Sequence, residues 1–442
     1  DQSSYSVISG GYDNNINNTT QSTIFGGSGN TLNDSTEAFI AGGSDNIITS
    51  SGKIRGNSII GSKSASISGS TSDDYNFVAG SESVTIFEGT GNAIIASFVS
   101  DMEFFGAQGE YNAIIGGVNN YMGRSWTGGT YDVDISAIIG GDSNSINDGS
   151  DGSFIAGGGA SNIYNGDYSG IVGGVTHKIS ASTVSFIGGG ADIDINNSNL
   201  SVAVGGGDHF INDSEFSGLI SGEKNKIQTN SDHSIIGGGS GNTIDNGSDR
   251  SGMLGGKGLL INSSEDSIIA GGFGNTLTQS NYSAIIGGTD NTLNAAGDDR
   301  SAIIAGSGNT ITNGGNESNV IIAGIGNTLK AGDGSTIVGG LNNLIQFGND
   351  SCSIVGGSNN LMNASNNSVI IGGQSITGTN SDTVYVPNLN IGGGITTSLL
   401  TLQSFDDDSA AGTGGLSAGE VYQTTGAGAA PLNVAGILMV KQ

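Results

Sequence analysis

Cysteine is almost missing from this chain. Cys352 is the only one, so neither an intrachain disulfide nor a thiolate metal cluster can form. Its place just before Ile354-Val355 predicts a buried, inert thiol. Proline is nearly as scarce, with two residues against 81 glycines. The glycines follow no three-residue period, which excludes collagen, and a hydrophobic content of 35% argues against simple disorder. Basic residues are few, 12 against 40 acidic ones, and the formal net charge of −28 would repel phosphate backbones and anionic headgroups. Nucleic acid is therefore not an expected partner, nor is direct membrane insertion, because no apolar run approaches the roughly 18 residues of a span. The first residues, Asp1-Gln2-Ser3-Ser4, include no Met and no basic-then-apolar signal, as expected of a processed product or a piece of a longer polypeptide.

Enzyme signatures are absent as well. There is no Gly-Lys-Ser/Thr phosphate loop, no nucleophile elbow and no His-Glu-x-x-His. No catalytic residue, cofactor or resident metal is expected. Gly271-Gly272-Phe273-Gly274-Asn275-Thr276 has Thr where a calcium-binding nonapeptide repeat needs Asp, and its period is nearly twice too long. A flat ice-binding face would need ranks of Thr-x-Thr that the sequence does not supply. Asp101 with Glu103, and Asp132 with Asp134, are spaced to share a strand face, the one arrangement here with the character of a glycosidase acid and base.

What the chain has in abundance is one unit, seen at Ser283-Ala284-Ile285-Ile286-Gly287-Gly288-Thr289-Asp290-Asn291-Thr292-Leu293. It recurs about 22 times between Val7 and Gly373, at intervals of about 15 to 20 residues, the mark of a repeat architecture with one continuous core. Each unit reads as a short β-branched strand, a glycine turn, a second short strand and a polar loop. The expected fold is all-β, a parallel β-solenoid of about 22 short coils over residues 1–380. At roughly 4.8 Å per coil this makes a rod on the order of 100 Å long. In Ile-Ile one residue points inward and its neighbour outward. The outward row is a larger apolar surface than a monomer exposes, which predicts a homotrimer sealed along it.

Four residues after the first Gly of each pair stands Asn30, Asn46, Asn120, Asn144, Asn275, Asn291 (also Asn14), Asn343 or Asn360, and Asn309 or Asn327 where Ala replaces that Gly. Stacked coils would align these amides into a structural ladder at one corner. His177, Asp192 and His209 fall at the same offset. They read as polar substitutes in the ladder; the alternative is that the histidines, with His233, hold a metal or anion between three chains.

Regularity weakens between Phe77 and Asp134, where Phe87, Met102, Phe104, Phe105, Tyr111, Tyr121, Met122, Trp126 and Tyr131 collect. Tyr121, Trp126 and Tyr131 would stack on sugar rings, with Arg124, Asp132 or Asp134 supplying polar contacts, a candidate receptor or glycan site. The alternative is that these aromatics cover a corner or an interface between chains. After Gly373 the pattern changes, and residues 381–442 read as a small C-terminal β module that caps and registers the solenoid.

The Ser-x-Ile-Ile-Gly-Gly-x-x-Asn-Thr-Leu unit resembles the repeats of trimeric autotransporter adhesin heads. That resemblance implies a left-handed β-roll and side-by-side packing of three chains. The end of the chain, Val384-Tyr385-Val386-Pro387-Asn388-Leu389-Asn390-Ile391 with Gly414-Gly415-Leu416 through Val440, looks like the tail of bacteriophage fibre and virion appendage proteins. Together they imply a non-catalytic fibre or spike component of a phage virion. It would contact other virion or fibre proteins and attach to a host-surface glycan or protein. The alternatives are a bacterial surface adhesin or extracellular filament subunit, and a polysaccharide-degrading tailspike.

Overall fold

The computed structural model describes residues 3–69, 75–104, 109–123, 133–297, 300–314, 318–330, 332–346 and 348–387, with 404–405, 410–411, 414, 421–425, 427 and 438–440. The chain divides into a unit spanning Asp1–Pro387 and a second spanning Asn388–Gln442.

The first unit is a parallel β-solenoid of about 22 coils, each built from two short strands. The first strands of successive coils form a ladder of 23, from Val7–Ile8 to Val384–Tyr385. The second strands form another, from Asn15–Asn17 to Thr377–Gly378. Both ladders are open, with one neighbour for each end strand. Register is kept coil after coil: Ile285, Ile303, Ile321, Ile337, Ile354 and Ile370 pair in sequence. A third line of single-residue pairings runs along the glycine corner, as in Phe273↔Thr289↔Ser307↔Ile325.

Burial explains why each strand has its pattern. The middle residue of a three-residue strand faces inward and its two neighbours face out, as period-2 geometry requires. Ile285, Ile303 and Ile321 in one ladder, and Leu277, Leu293 and Ile311 in the other, are wholly buried. The solenoid continues past residue 380, because Val384 and Tyr385 pair with Val369 and Ile370 of the last coil. There the Tyr385 hydroxyl accepts the N–H groups of Thr379 (3.0 Å) and Asn380 (2.7 Å). In the second unit, Ser404–Phe405 pairs parallel with Val421–Thr424, which pairs antiparallel with Leu438–Val440.

One corner of the coil is unusual. Two residues before most first strands the backbone is left-handed, and the side chains there include Tyr168, Val184, Leu200 and Phe216. Val184 (φ 55°) and Ile135 (φ 54°) are β-branched, the class for which this conformation is most strained. Val184→Asn is expected to stabilise the chain by about 1 kcal/mol, since Asn tolerates this region and Val184 is exposed. Denaturant melts of the two proteins check it; equal midpoints would mean that Val184 gains from packing what it loses in strain.

Candidate functional site

The structure places Tyr121 at the start of the strand Tyr121–Gly123, on the outer face of the second-strand ladder. Its ladder neighbours are Asp101 in the preceding coil and Ser145 in the following one. Glu103 lies on the same face as Asp101, two residues further along its strand, with all three side chains half-buried. Burial, followed by the charges of Glu103, Asp148 and Asp101, pushes the Tyr121 hydroxyl up to about 12. Burial also raises Asp101, against the pull of hydrogen bonding to Thr85, while Glu103 is raised by burial and then by Asp101. The patch is therefore an aromatic ring beside two carboxyls that hold their protons more tightly than usual. It suits hydrogen bonding to hydroxyl groups beneath a stacked ring.

Arg124, Trp126, Tyr131 and Asp132 lie outside the described residues. The other members of the group separate. Met102, Met122 and Phe104 belong to the core. The Phe104 ring fills the space where a Cβ on Gly109 would sit. Tyr111 stands on the left-handed corner, its ring over Gly91 of the previous coil, as Tyr168 lies over Gly152. Asp134 is structural: its carboxylate accepts the Glu110 N–H at 2.7 Å, and its own N–H donates to Asp151 at 2.9 Å.

The asparagine ladder is built as a continuous hydrogen-bonded stack. Asn291 Oδ1 accepts the Asn309 N–H (3.0 Å), while Nδ2 donates to the carbonyls of Gly287 (3.3 Å) and Gly306 (3.2 Å). Asn30, Asn46, Asn120, Asn144, Asn275, Asn327, Asn343 and Asn360 are buried at the same corner. Asn225 and Asn242 belong with them. They were hidden because Ser221 replaces the first Gly in one coil and a third Gly, Gly237, precedes the pair in the other. Asp192 does not belong: Gly188-Gly189-Gly190 shifts the frame by one, so Ile193 is buried in the ladder and Asp192 takes the outer left-handed position.

His177 and His209 do substitute for ladder asparagines. Nδ1 of each accepts the N–H of the next coil, from Ile193 (3.3 Å) and Asn225 (3.4 Å), while Nε2 of His177 has no partner. Burial lowers the pKa of both. His233 is elsewhere, stacked on Phe216 at the left-handed corner with ring centroids 4.7 Å apart. The three imidazoles do not converge within one chain, and no group of three or more His, Cys, Asp or Glu suited to a metal ion occurs among the described residues.

Two further ladders consist of serine. Ser267 Oγ accepts the Ser283 N–H (3.1 Å) and donates to the Ser280 carbonyl (2.9 Å). Ser264 Oγ likewise accepts the Ser280 N–H (3.0 Å). Cys352 occupies a serine place in the first of these ladders, with Sγ 3.0 Å from the Ser365 carbonyl, and burial pushes its thiol pKa up. Outside them, Asp151, Asp167, Asp232 and Asp249 each accept the N–H of the preceding coil, which turns part of the acidic charge to structural use. The sequence signal for this row is Asp-x-Ser immediately before a strand. No protein-family model matches the chain, and no curated protein is significantly similar to it.

Proposed function

We propose that the chain is the rigid, non-catalytic repeat part of a homotrimeric fibre or spike on a phage virion, which carries a host-attachment site away from the particle surface. The observation that supports this most is the outward column at the third position of the first strands. Ile286, Ile304, Ile322, Val338, Val355 and Ile371 follow one another in register, each more than a third exposed. An unbroken apolar column on a stiff rod fits side-by-side packing of copies better than life as a monomer. Light scattering of the purified chain is expected to give the mass of three chains, and a single-chain mass overturns the reading. Attachment is assigned to the Tyr121 patch with Arg124, Trp126, Tyr131 and Asp132 of the adjoining segment. Adsorption of particles carrying Tyr121→Ala is expected to fall at least tenfold; unchanged adsorption removes the site. A bacterial trimeric adhesin would use the same rod, and labelling of intact virions with an antibody to the chain separates the two.

One observation favours a second reading, cleavage of a surface polysaccharide. Asp101 and Glu103 both have raised pKa values on one strand face, about 6.6 Å apart along the backbone, near the spacing of an inverting acid and base pair. Release of reducing ends from host capsule that disappears in Asp101→Asn and Glu103→Gln would establish it.

A further inference from the structure

We infer that nearly every coil carries its own key to a sister copy: a large apolar residue in one outward column and a small residue beside it in the other. This deepens the trimeric reading given above and rests on it. Each first strand offers two outward positions, the first and the third. In all but four first strands (Val202/Val204, Val320/Ile322, Val369/Ile371 and Val384/Val386) one is large and apolar and the other is Gly, Ala, Ser or Thr. Which position is large changes along the rod. Through the middle the pairs run Gly218/Ile220, Ile235/Gly237, Gly252/Leu254 and Ile268/Ala270, so large residues alternate between the columns.

At Gly218 and Gly252 the chain's own fold does not call for the small residue, whereas at Gly237 a Cβ would meet the Leu254 carbonyl oxygen at 2.9 Å. Gly218 and Gly252 begin strands, and neither has a left-handed φ. A Cβ at Gly218 would come no closer than 3.8 Å to any neighbour, and one at Gly252 no closer than 3.6 Å, both ordinary contacts with Ile235 or its surroundings. Glycine in a strand weakens it relative to alanine and marks a place where something approaches closely. Around these glycines Ile220, Ile235 and Leu254 are 48%, 45% and 65% exposed.

A cyclic assembly about an axis parallel to the rod supplies what the monomer lacks. Each coil then meets the same coil of the next copy at the same height, and the first-position column of one copy faces the third-position column of its neighbour. Ile220 of one chain enters the gap at Gly218 of the next, Ile235 the gap at Gly237, and Leu254 the gap at Gly252. The pairing holds whichever column is large, because both members belong to one coil. A strip about 100 Å long and about 10 Å wide is on the order of 1,000 Å² per copy, above the roughly 800 Å² per partner typical of a stable complex. A slip by one coil in the middle of the rod would set large against large and small against small, so the alternation fixes axial register.

Sedimentation velocity on the full chain tests this. Gly218→Ile with Gly252→Leu fills two gaps and is expected to lower the trimer fraction at least tenfold with an unchanged far-ultraviolet β signal. Adding Ile220→Gly and Leu254→Gly, which reverses both keys within their coils, is expected to restore the trimer. Undiminished assembly of the filled variant, or no recovery on reversal, overturns the key while a trimeric parent leaves the trimeric reading standing. A monomeric parent overturns both. Should the filled variant misfold, Gly252→Cys with Leu254→Cys decides: alternate residues on one strand are too far apart to bridge each other, so oxidation is expected to link three chains covalently. Failure to link chains overturns the key.

Discussion

Gly288→Ala is expected to destabilise the solenoid by on the order of 5 kcal/mol, whereas Gly287→Ala, one residue away, costs about 1 kcal/mol. Both glycines are left-handed, with φ of +78° at Gly287 and +89° at Gly288, so both substitutions incur the backbone penalty of a Cβ in that region. They differ in what the Cβ meets. At Gly287 nothing lies within 4 Å. At Gly288 it would sit 2.4 Å from Asn291 Nδ2 and 2.4 Å from the Gly306 carbonyl oxygen of the next coil. The second of these is backbone and cannot swing aside. To make room, the coil has to separate from its neighbour and Asn291 has to give up its bonds to Gly287 and Gly306. Because each coil touches only its neighbours, the break also divides the cooperative unit. Denaturation of Gly288→Ala is expected to split into two transitions, with rapid amide exchange centred on the coils around Asn291. A single transition within 1 kcal/mol of the parent would show that the corner is looser than its geometry implies.

The same contrast explains why so much of this fold was legible in the sequence. In most coils the residue whose Cβ would strike the next coil's backbone is glycine, with Ser62, Ser81 and Ser97 in its place in three, and nearly every strand side chain that points into the narrow core is Ile, Leu, Val, Ala or Met. Those demands repeat along most of the rod, so Ile-Ile-Gly-Gly and the following Asn stand out above the variable loops. Less visible were the positions where the demand is for a small hydrogen-bonding group rather than a distinctive one. Ser267 and Ser283 carry a ladder as continuous as that of the asparagines. Yet serine is so common on exposed turns that its recurrence before each strand does not by itself reveal burial. Asp151 and Asp167 look like ordinary solvated charges until the preceding coil's N–H groups are seen to point at them. Asp192 fails for a different reason, since offsets counted from a glycine pair become ambiguous when three glycines run together. The candidate site was legible only as a region. Irregular spacing drew attention to Tyr121, but only the ladder register sets Asp101 against it and Glu103 on the same face.

Acidification is expected to weaken the middle of the solenoid, and His177 and His209 are the reason. Both imidazoles are buried among coils whose ladder elsewhere uses Asn, and burial holds their pKa values below the ordinary 6.5 even though Asp192 pulls His177 upward, and Asp208 and a hydrogen bond with the Ser221 backbone pull His209 upward. Above 6.5 neither the folded nor the unfolded chain binds a proton at these sites, and their contribution to stability is fully present. As pH falls below 6.5 the unfolded chain takes up protons that the folded chain refuses. Stability then drops by up to about 1.4 kcal/mol per pH unit for each histidine, until the lowered folded values are reached. The carboxyls of Asp101, Glu103, Asp151 and Asp194 act in the opposite direction: their folded pKa values are raised, mainly by burial, so they add stability as pH falls through those values. The histidine loss therefore shows most clearly just below pH 6.5. Replacing both histidines, His177→Asn with His209→Asn, restores the amide that donates to glycine carbonyls elsewhere in the ladder and removes the buried His177 Nε2, which has no partner. At pH 7.5 the double variant should be more stable by about 1–2 kcal/mol, and this gap should widen as pH falls below 6.5. Urea midpoints of the two proteins across this range measure the gap. A gap that stays constant with pH would mean that the imidazoles titrate equally in both states, and burial would not be what holds them neutral.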